Sequence, residues 1–190
     1  MSYEAIVIGV SAGGLNALHT IIPELPKEYP LPVIVVQHRL PEADDFLTTY
    51  LDQESKLHVK QAEPREPIQQ GVYIAPAGYH LLVERDRTFG FSVDPKVNNA
   101  IPSIDVLFET AADAYQNKLV GIVLTGANSD GSQGLKFIKK NGGLTIVQAP
   151  NTAESPFMPK AAIEALEVDH IMPLVDIGAF LKTLPYTEKA

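Results

Sequence analysis

The patterning of this chain predicts an α/β fold: a doubly wound, mostly parallel sheet with helices on both faces and an antiparallel hairpin insert. Three observations predict it. Continuous apolar runs at Ala5-Ile6-Val7-Ile8, Val33-Ile34-Val35-Val36 and Leu119-Val120-Gly121-Ile122-Val123-Leu124 have the character of strands buried on both faces. Segments with apolar residues every three or four positions alternate with them. Polar or glycine-containing turns follow the runs, as expected where parallel strands hand over to helices.

Taken in order, Ala5 to Ile8 reads as a central strand closed by Gly9. Leu15, Leu18, Ile22 and Leu25 then mark one face of a helix that Pro23 and Pro26 bring to an end. The second strand, Val33 to Val36, runs into Gln37-His38, and Pro41 precedes a helix through Phe46, Leu47 and Leu51. Residues 57 to 95 break the rhythm. Val72-Tyr73-Ile74, Leu81-Leu82-Val83 and Phe89-Gly90-Phe91 are short, partly alternating runs interrupted by Gly and Pro, which predicts an antiparallel hairpin region. Helical spacing returns with Ile104, Leu107, Phe108, Ala111 and Tyr115 before the strand at 119–124. Leu135 and Ile138 mark a helix closed by Gly142-Gly143, Leu144 to Val147 a strand, and Pro159 a helix start ahead of Ala162, Ile163 and Leu166. His170 to Met172 is a last short strand, and the tail after Pro185 is expected to be loose. With no repeat, low-complexity tract or linker, residues 1–190 are expected to form one domain.

Composition narrows the function classes. A net charge of -8, with no dense Lys/Arg cluster, disfavours nucleic acid as a partner. The absence of cysteine excludes disulfides and thiolate metal sites. The first residues, MSYEAIVIGV, lack the form of a secretory signal, and no apolar run approaches membrane-spanning length, so a cytoplasmic protein without membrane insertion is expected.

In an open parallel sheet, chemistry collects at the carboxyl ends of the strands near the point where strand order reverses. Three strand ends here deliver one Ser, one His and one Asp: Gly9-Val10-Ser11-Ala12-Gly13-Gly14, Gln37-His38, and Thr125 to Gly131 with Asp130. Gly9-Val10-Ser11-Ala12-Gly13 fits a nucleophile elbow, whose small neighbours permit a sharp strand-to-helix turn. The same glycines suit a phosphate-binding turn. Ser11 occupies a position where a dinucleotide turn has glycine, and the second strand ends at His38 without a ribose-binding acid, which favours the nucleophile. A serine needs a base. Among five histidines (19, 38, 58, 80 and 170) only His38 ends a buried parallel strand at the Ser11 edge, and Asp130 is placed to orient its imidazole. The chain order Ser, His, Asp differs from that of α/β-hydrolases.

With these residues placed, the sequence resembles the catalytic domain of the CheB family of chemotaxis protein-glutamate methylesterases, over roughly residues 5 to 181. The resemblance is carried by Gly9 to Gly14, Val36-Gln37-His38, Gly71 to Pro76, Pro102-Ser103-Ile104-Asp105-Val106-Leu107-Phe108, Leu124-Thr125-Gly126 with Asp130-Gly131, and Met158-Pro159. It implies Ser11 as nucleophile, His38 as base and Asp130 as its orienting acid. An oxyanion region at Ala12, Gly13 and Ala127 is expected beside them. It also implies hydrolysis of methyl esters on glutamate side chains of chemoreceptor cytoplasmic helices or a related signalling protein, with deamidation of glutamines as a second reaction, and no metal or organic cofactor.

The chain departs from the family pattern at several points. It begins almost at the first catalytic strand, so a stand-alone catalytic domain without a receiver domain is expected. Thr125-Gly126-Ala127-Asn128 stands where Thr-Gly-Met-Gly is usual, Ile101 where Arg is usual, Ala149-Pro150 where acidic or amide residues are common, and Phe157 where Gly is usual. These changes cluster at the rim of the site. They motivate two alternatives: a non-catalytic interaction module that keeps the fold and, from the Gly-rich turn alone, a nucleotide-binding protein.

Overall fold

A computed structural model describes residues 3–39 and 45–186. Its main sheet has seven strands in the order β3-β4-β2-β1-β7-β8-β9, all parallel. The central strand β1 (Ala5–Val10) is buried along its whole length, with β2 (Val33–Gln37) on one side and β7 (Leu119–Val123) on the other. From β1 the chain builds outward through β2 to β3 (Val59–Gln61) and β4 (Val72–Ile74), then crosses back to β7, β8 (Leu144–Gln148) and β9 (His170–Met172). The strand order therefore reverses at β1, which opens a crevice at its carboxyl end.

Alternation along the strands divides the core in two. Ile6, Ile8, Val33, Val35, Val120 and Ile122 face one layer, packed with Leu18 and Ile21 of α1 (Gly14–Ile21), Leu51 of α2 (Phe46–Glu54), and Ile177 and Leu181 of α6 (Leu174–Thr183). Ala5, Val7, Ile34, Val36 and Val123 face the other, packed with Leu107 and Phe108 of α3 (Ile104–Tyr115), Leu135 and Ile138 of α4 (Ser132–Lys140), and Met158 and Ala162 of α5 (Phe157–Ala165). The doubly wound α/β prediction holds, and helices cover both faces. Among the described residues no helix is long and apolar enough to cross a membrane.

The insert is smaller than its sequence implies. Only β5 (His80–Val83) and β6 (Phe89–Ser92) form an antiparallel hairpin, joined by a turn over residues 84–88. Val72 to Ile74 instead pairs in parallel with both β2 and β3. The three residues are buried on both faces, but a run that short shows no period by which a parallel strand could be told from a hairpin arm. Helix α5 starts two residues before Pro159, and α6 lies beyond the last element that the patterning predicts. Pro41, and the tail beyond Tyr186, lie outside the described residues.

Candidate active site

Strand register brings the three sequence-predicted residues to one edge. Val10 pairs with Gln37, so His38 follows immediately, and its N–H donates to the Val10 carbonyl (3.1 Å). On the other side Leu124 N–H donates to Gly9 O (3.0 Å) and Ser11 N–H to Thr125 O (2.9 Å). Ser11 thus stands between His38 and the loop at 124–131.

The turn after β1 is held open by glycine. Gly13 adopts φ +79°, and a Cβ there would come within 2.7 Å of Glu154 Cβ and 2.8 Å of its Oε2. That carboxylate stands beside the turn, where its negative charge disfavours a phosphate, which counts against the nucleotide-binding alternative. Among the described residues nothing accepts a hydrogen bond from the backbone N–H groups of Ala12, Gly13 or Ala127. Those three donors lie at the start of α1 and in the neighbouring loop, where the helix dipole favours negative charge.

Asp130 is fully buried and its Oδ2 accepts from His38 Nε2 at 2.7 Å; the His38 side chain is 13% exposed. Four further donors converge on the carboxylate: Ser103 Oγ (2.9 Å) and Asn98 Nδ2 (3.0 Å) on Oδ1, Ile104 N–H (2.7 Å) on Oδ2 and Asp105 N–H (3.1 Å) on Oδ1. Asp130 therefore caps α3 from outside that helix, a role Ser103 leaves to it. Burial pushes its pKa up, but the hydrogen bonds from His38, Asn98, Ile104 and Asp105 outweigh burial and leave it below the usual carboxylate range. An ionised Asp130 accepts only, so neutral His38 carries its proton on Nε2 and presents a lone pair at Nδ1. Asn128 donates to that nitrogen (3.0 Å) while its Oδ1 accepts from Asp130 N–H (3.0 Å).

The remaining histidines have ordinary partners. His19 contacts the Tyr50 hydroxyl (3.2 Å) and His58 pairs with Asp52 on the surface. His80 is buried between Ser103 N–H and Pro95 O, and His170 packs on Phe180. Among the described residues no cluster of three or more His, Asp or Glu side chains is arranged to hold a metal ion.

Ser11 and His38 line two hollows. One, of about 440 Å³, is lined by Arg39, Lys96, Asn98, Ile101 and Asn128; the other, of about 520 Å³, by Ala12, Gly13, Leu15, Gln37 and Glu154. Sequence reasoning alone singles out neither Asn98, Ser103 and Asp105 as partners of Asp130 nor Asn128 as a partner of His38. The helix start at Pro102-Ser103 signals a cap, but nothing local indicates that the acceptor comes from a loop 27 residues on.

A family model described as CheB methylesterase matches residues 6–181. A relative in Leptospira interrogans is 54% identical over 179 residues, covering 94% of this chain and 93% of the relative. The protein-glutamate methylesterase/protein-glutamine glutaminase of Thermotoga maritima is 38% identical over 181 residues; 93% of this chain aligns with 53% of that protein, so the chain spans about half its length. The solved catalytic domain of the Thermotoga maritima CheB methylesterase superposes with a TM-score of 0.92 at 37% identity, covering 97% of this chain and 100% of that one. A family-model match over residues 6–181, 54% identity to a relative along nearly its whole length and a TM-score of 0.92 to a solved catalytic domain lead to one conclusion: the chain belongs to the CheB methylesterase family.

Proposed function

We propose that this chain hydrolyses methyl esters of glutamate side chains on a protein substrate, and side-chain amides of glutamine as a second reaction, with Ser11, His38 and Asp130 as its catalytic triad. The observation that carries the proposal is the 2.7 Å contact between His38 Nε2 and a buried, ionised Asp130, one strand away from Ser11 at the switch point of the sheet.

On this reading Ser11 Oγ attacks the side-chain carbonyl carbon as its proton passes to His38 Nδ1. The carbonyl oxygen takes up negative charge, and the N–H groups of Ala12, Gly13 and Ala127 are the donors available to it. Protonated His38 is stabilised through Nε2 by Asp130 and gives the Nδ1 proton to departing methanol or ammonia. Water, deprotonated by the same nitrogen, then releases the glutamate carboxylate from Ser11. The base nitrogen is Nδ1, the reverse of the serine-protease arrangement, where Nδ1 faces the aspartate. Two hollows that share Ser11 and His38 suit a side chain presented from a longer structure, such as a methylated receptor helix in the cytoplasm.

Methanol release from a methylated receptor fragment tests the reading. It is expected to be catalytic with the wild-type chain and to vanish in Ser11→Ala. Release that is undetectable with wild type, or unchanged in the variant, refutes it.

A further inference from the structure

The catalytic reading leaves one contact unexplained, the bond from Asn128 to the nitrogen that must act as base. We propose that Asn128 caps His38 Nδ1 in the free protein and has to leave that nitrogen before Ser11 can react. The proposal rests on the triad assignment above and concerns its resting state.

Both ends of the Asn128 amide are assigned by their partners. Asp130 N–H is a donor, so the atom facing it at 3.0 Å is Oδ1, and the amide nitrogen consequently faces His38 Nδ1 at 3.0 Å. Nδ1 is an acceptor because Nε2 donates to Asp130. An imidazole nitrogen has one in-plane lone pair, and here Asn128 fills it. Among the described residues Ser11 Oγ has no hydrogen-bond partner, so nucleophile and base are adjacent but not engaged.

The chemistry requires the cap to open. When Ser11 Oγ forms its bond to the carbonyl carbon, the Oγ–H bond breaks and the proton arrives on Nδ1, while the electron pair of the C=O bond moves to oxygen. Nδ1 is then an N–H donor, and an amide N–H still aimed at it would place two donors face to face. Asn128 lines the same hollow as Ser11 and His38, within reach of an entering substrate whose ester oxygens can accept from it. A bound substrate can therefore draw the amide away, and a small reagent meets a serine whose base is occupied.

Fluorophosphonate labelling of the intact chain reads this directly. Asn128→Gly leaves Nδ1 uncapped and is expected to label about two- to tenfold faster than wild type, the factor that corresponds to one net hydrogen bond. Asn128→Asp, which sets an acceptor against Nδ1 and so holds a proton there, is expected to label more slowly. The 15N resonance of Nδ1 should move toward that of an unbonded imine nitrogen in Asn128→Gly while the Nε2–H signal stays in place, which also shows that the variant is folded. Labelling of Asn128→Gly at or below the wild-type rate, with Ser11→Ala unlabelled, overturns the cap and leaves the triad intact. Labelling that persists in Ser11→Ala overturns the triad instead.

Discussion

Two buried carboxylates at the amino end of α3 have nearly the same exposure and opposite electrostatics. Asp130, behind His38, accepts five hydrogen bonds, from His38, Asn98, Ser103, Ile104 N–H and Asp105 N–H, and its pKa is held below the usual range. Asp105, on the side facing α4, accepts from Gly134 N–H (2.6 Å) and Asn98 Nδ2 (2.7 Å). Burial is the largest influence on it and raises its pKa; the charge of Asp130 adds to the rise, and the two donors only partly oppose it, leaving Asp105 at about 6. Burial alone thus does not decide which way a carboxylate's pKa moves. The number of donors aimed at it does, and the donors here are concentrated on the carboxylate that faces His38.

The largest way to break this contrast is to neutralise Asp130. Asp130→Asn offers an amide N–H to His38 Nε2, which drives the imidazole proton to Nδ1 and removes the base that the proposed triad needs. Methyl-ester hydrolysis is expected to fall by about 10³- to 10⁴-fold in kcat/KM. An activity within tenfold of wild type would mean that the carboxylate serves α3 rather than His38.

The second test addresses Asp105 through pH. Its folded-state pKa of about 6 lies above the ordinary aspartate value of 3.8, so the folded chain binds this proton more tightly than the unfolded one. The stability it contributes is fully present below pH 3.8 and is lost as pH rises through 6. Asp105→Asn mimics the protonated group at every pH. Relative to wild type, the variant should therefore gain about 2 kcal/mol in unfolding free energy between pH 4.5 and pH 8, measured by denaturant titration. A relative loss over that interval would show that Asp105 is stabilised as the anion. Asp130 has the opposite sign: its contribution is present at neutral pH and is lost as pH falls through its lowered pKa.

The sequence reveals these two carboxylates unequally, for a physical reason. Ser11, His38 and Asp130 each follow a continuous apolar strand, and a parallel sheet carries such ends to one edge whatever the intervening chain does, so their proximity can be read from strand order alone. The residues that set the state of the site cannot be read this way. Asn98 and Asn128 sit in loops, and their partners are 32 and 90 positions away, joined only by the crossover through α3 and the return of β7 to the centre of the sheet. The same limit governs the fold. Strands of five or six residues at the centre announce themselves, whereas β3 and β4 have three residues each and take their identity from the neighbours that they pair with. In α6 the apolar stripe is blurred by Val175, which is 70% exposed.

The smallest expected effect is at Asn98, whose amide nitrogen bonds to both carboxylates at once and so couples them. Asn98 has φ 51°, so Ala would add backbone strain to the loss of hydrogen bonds, and Gly is the cleaner replacement. Asn98→Gly also loosens the chain in the unfolded state, but that cost is the same at every pH. The hydrogen-bond contribution is not, because a donor shared by two anions is worth more than one shared by an anion and a neutral acid. The destabilisation by Asn98→Gly should therefore be larger at pH 8 than at pH 4.5 by about 1 kcal/mol, the difference between a charged and a neutral acceptor. In Asp105→Asn that pH dependence should disappear, since one of the two acceptors no longer ionises. A penalty independent of pH in the wild-type background would mean that Asn98 shapes its loop and leaves the two carboxylates uncoupled.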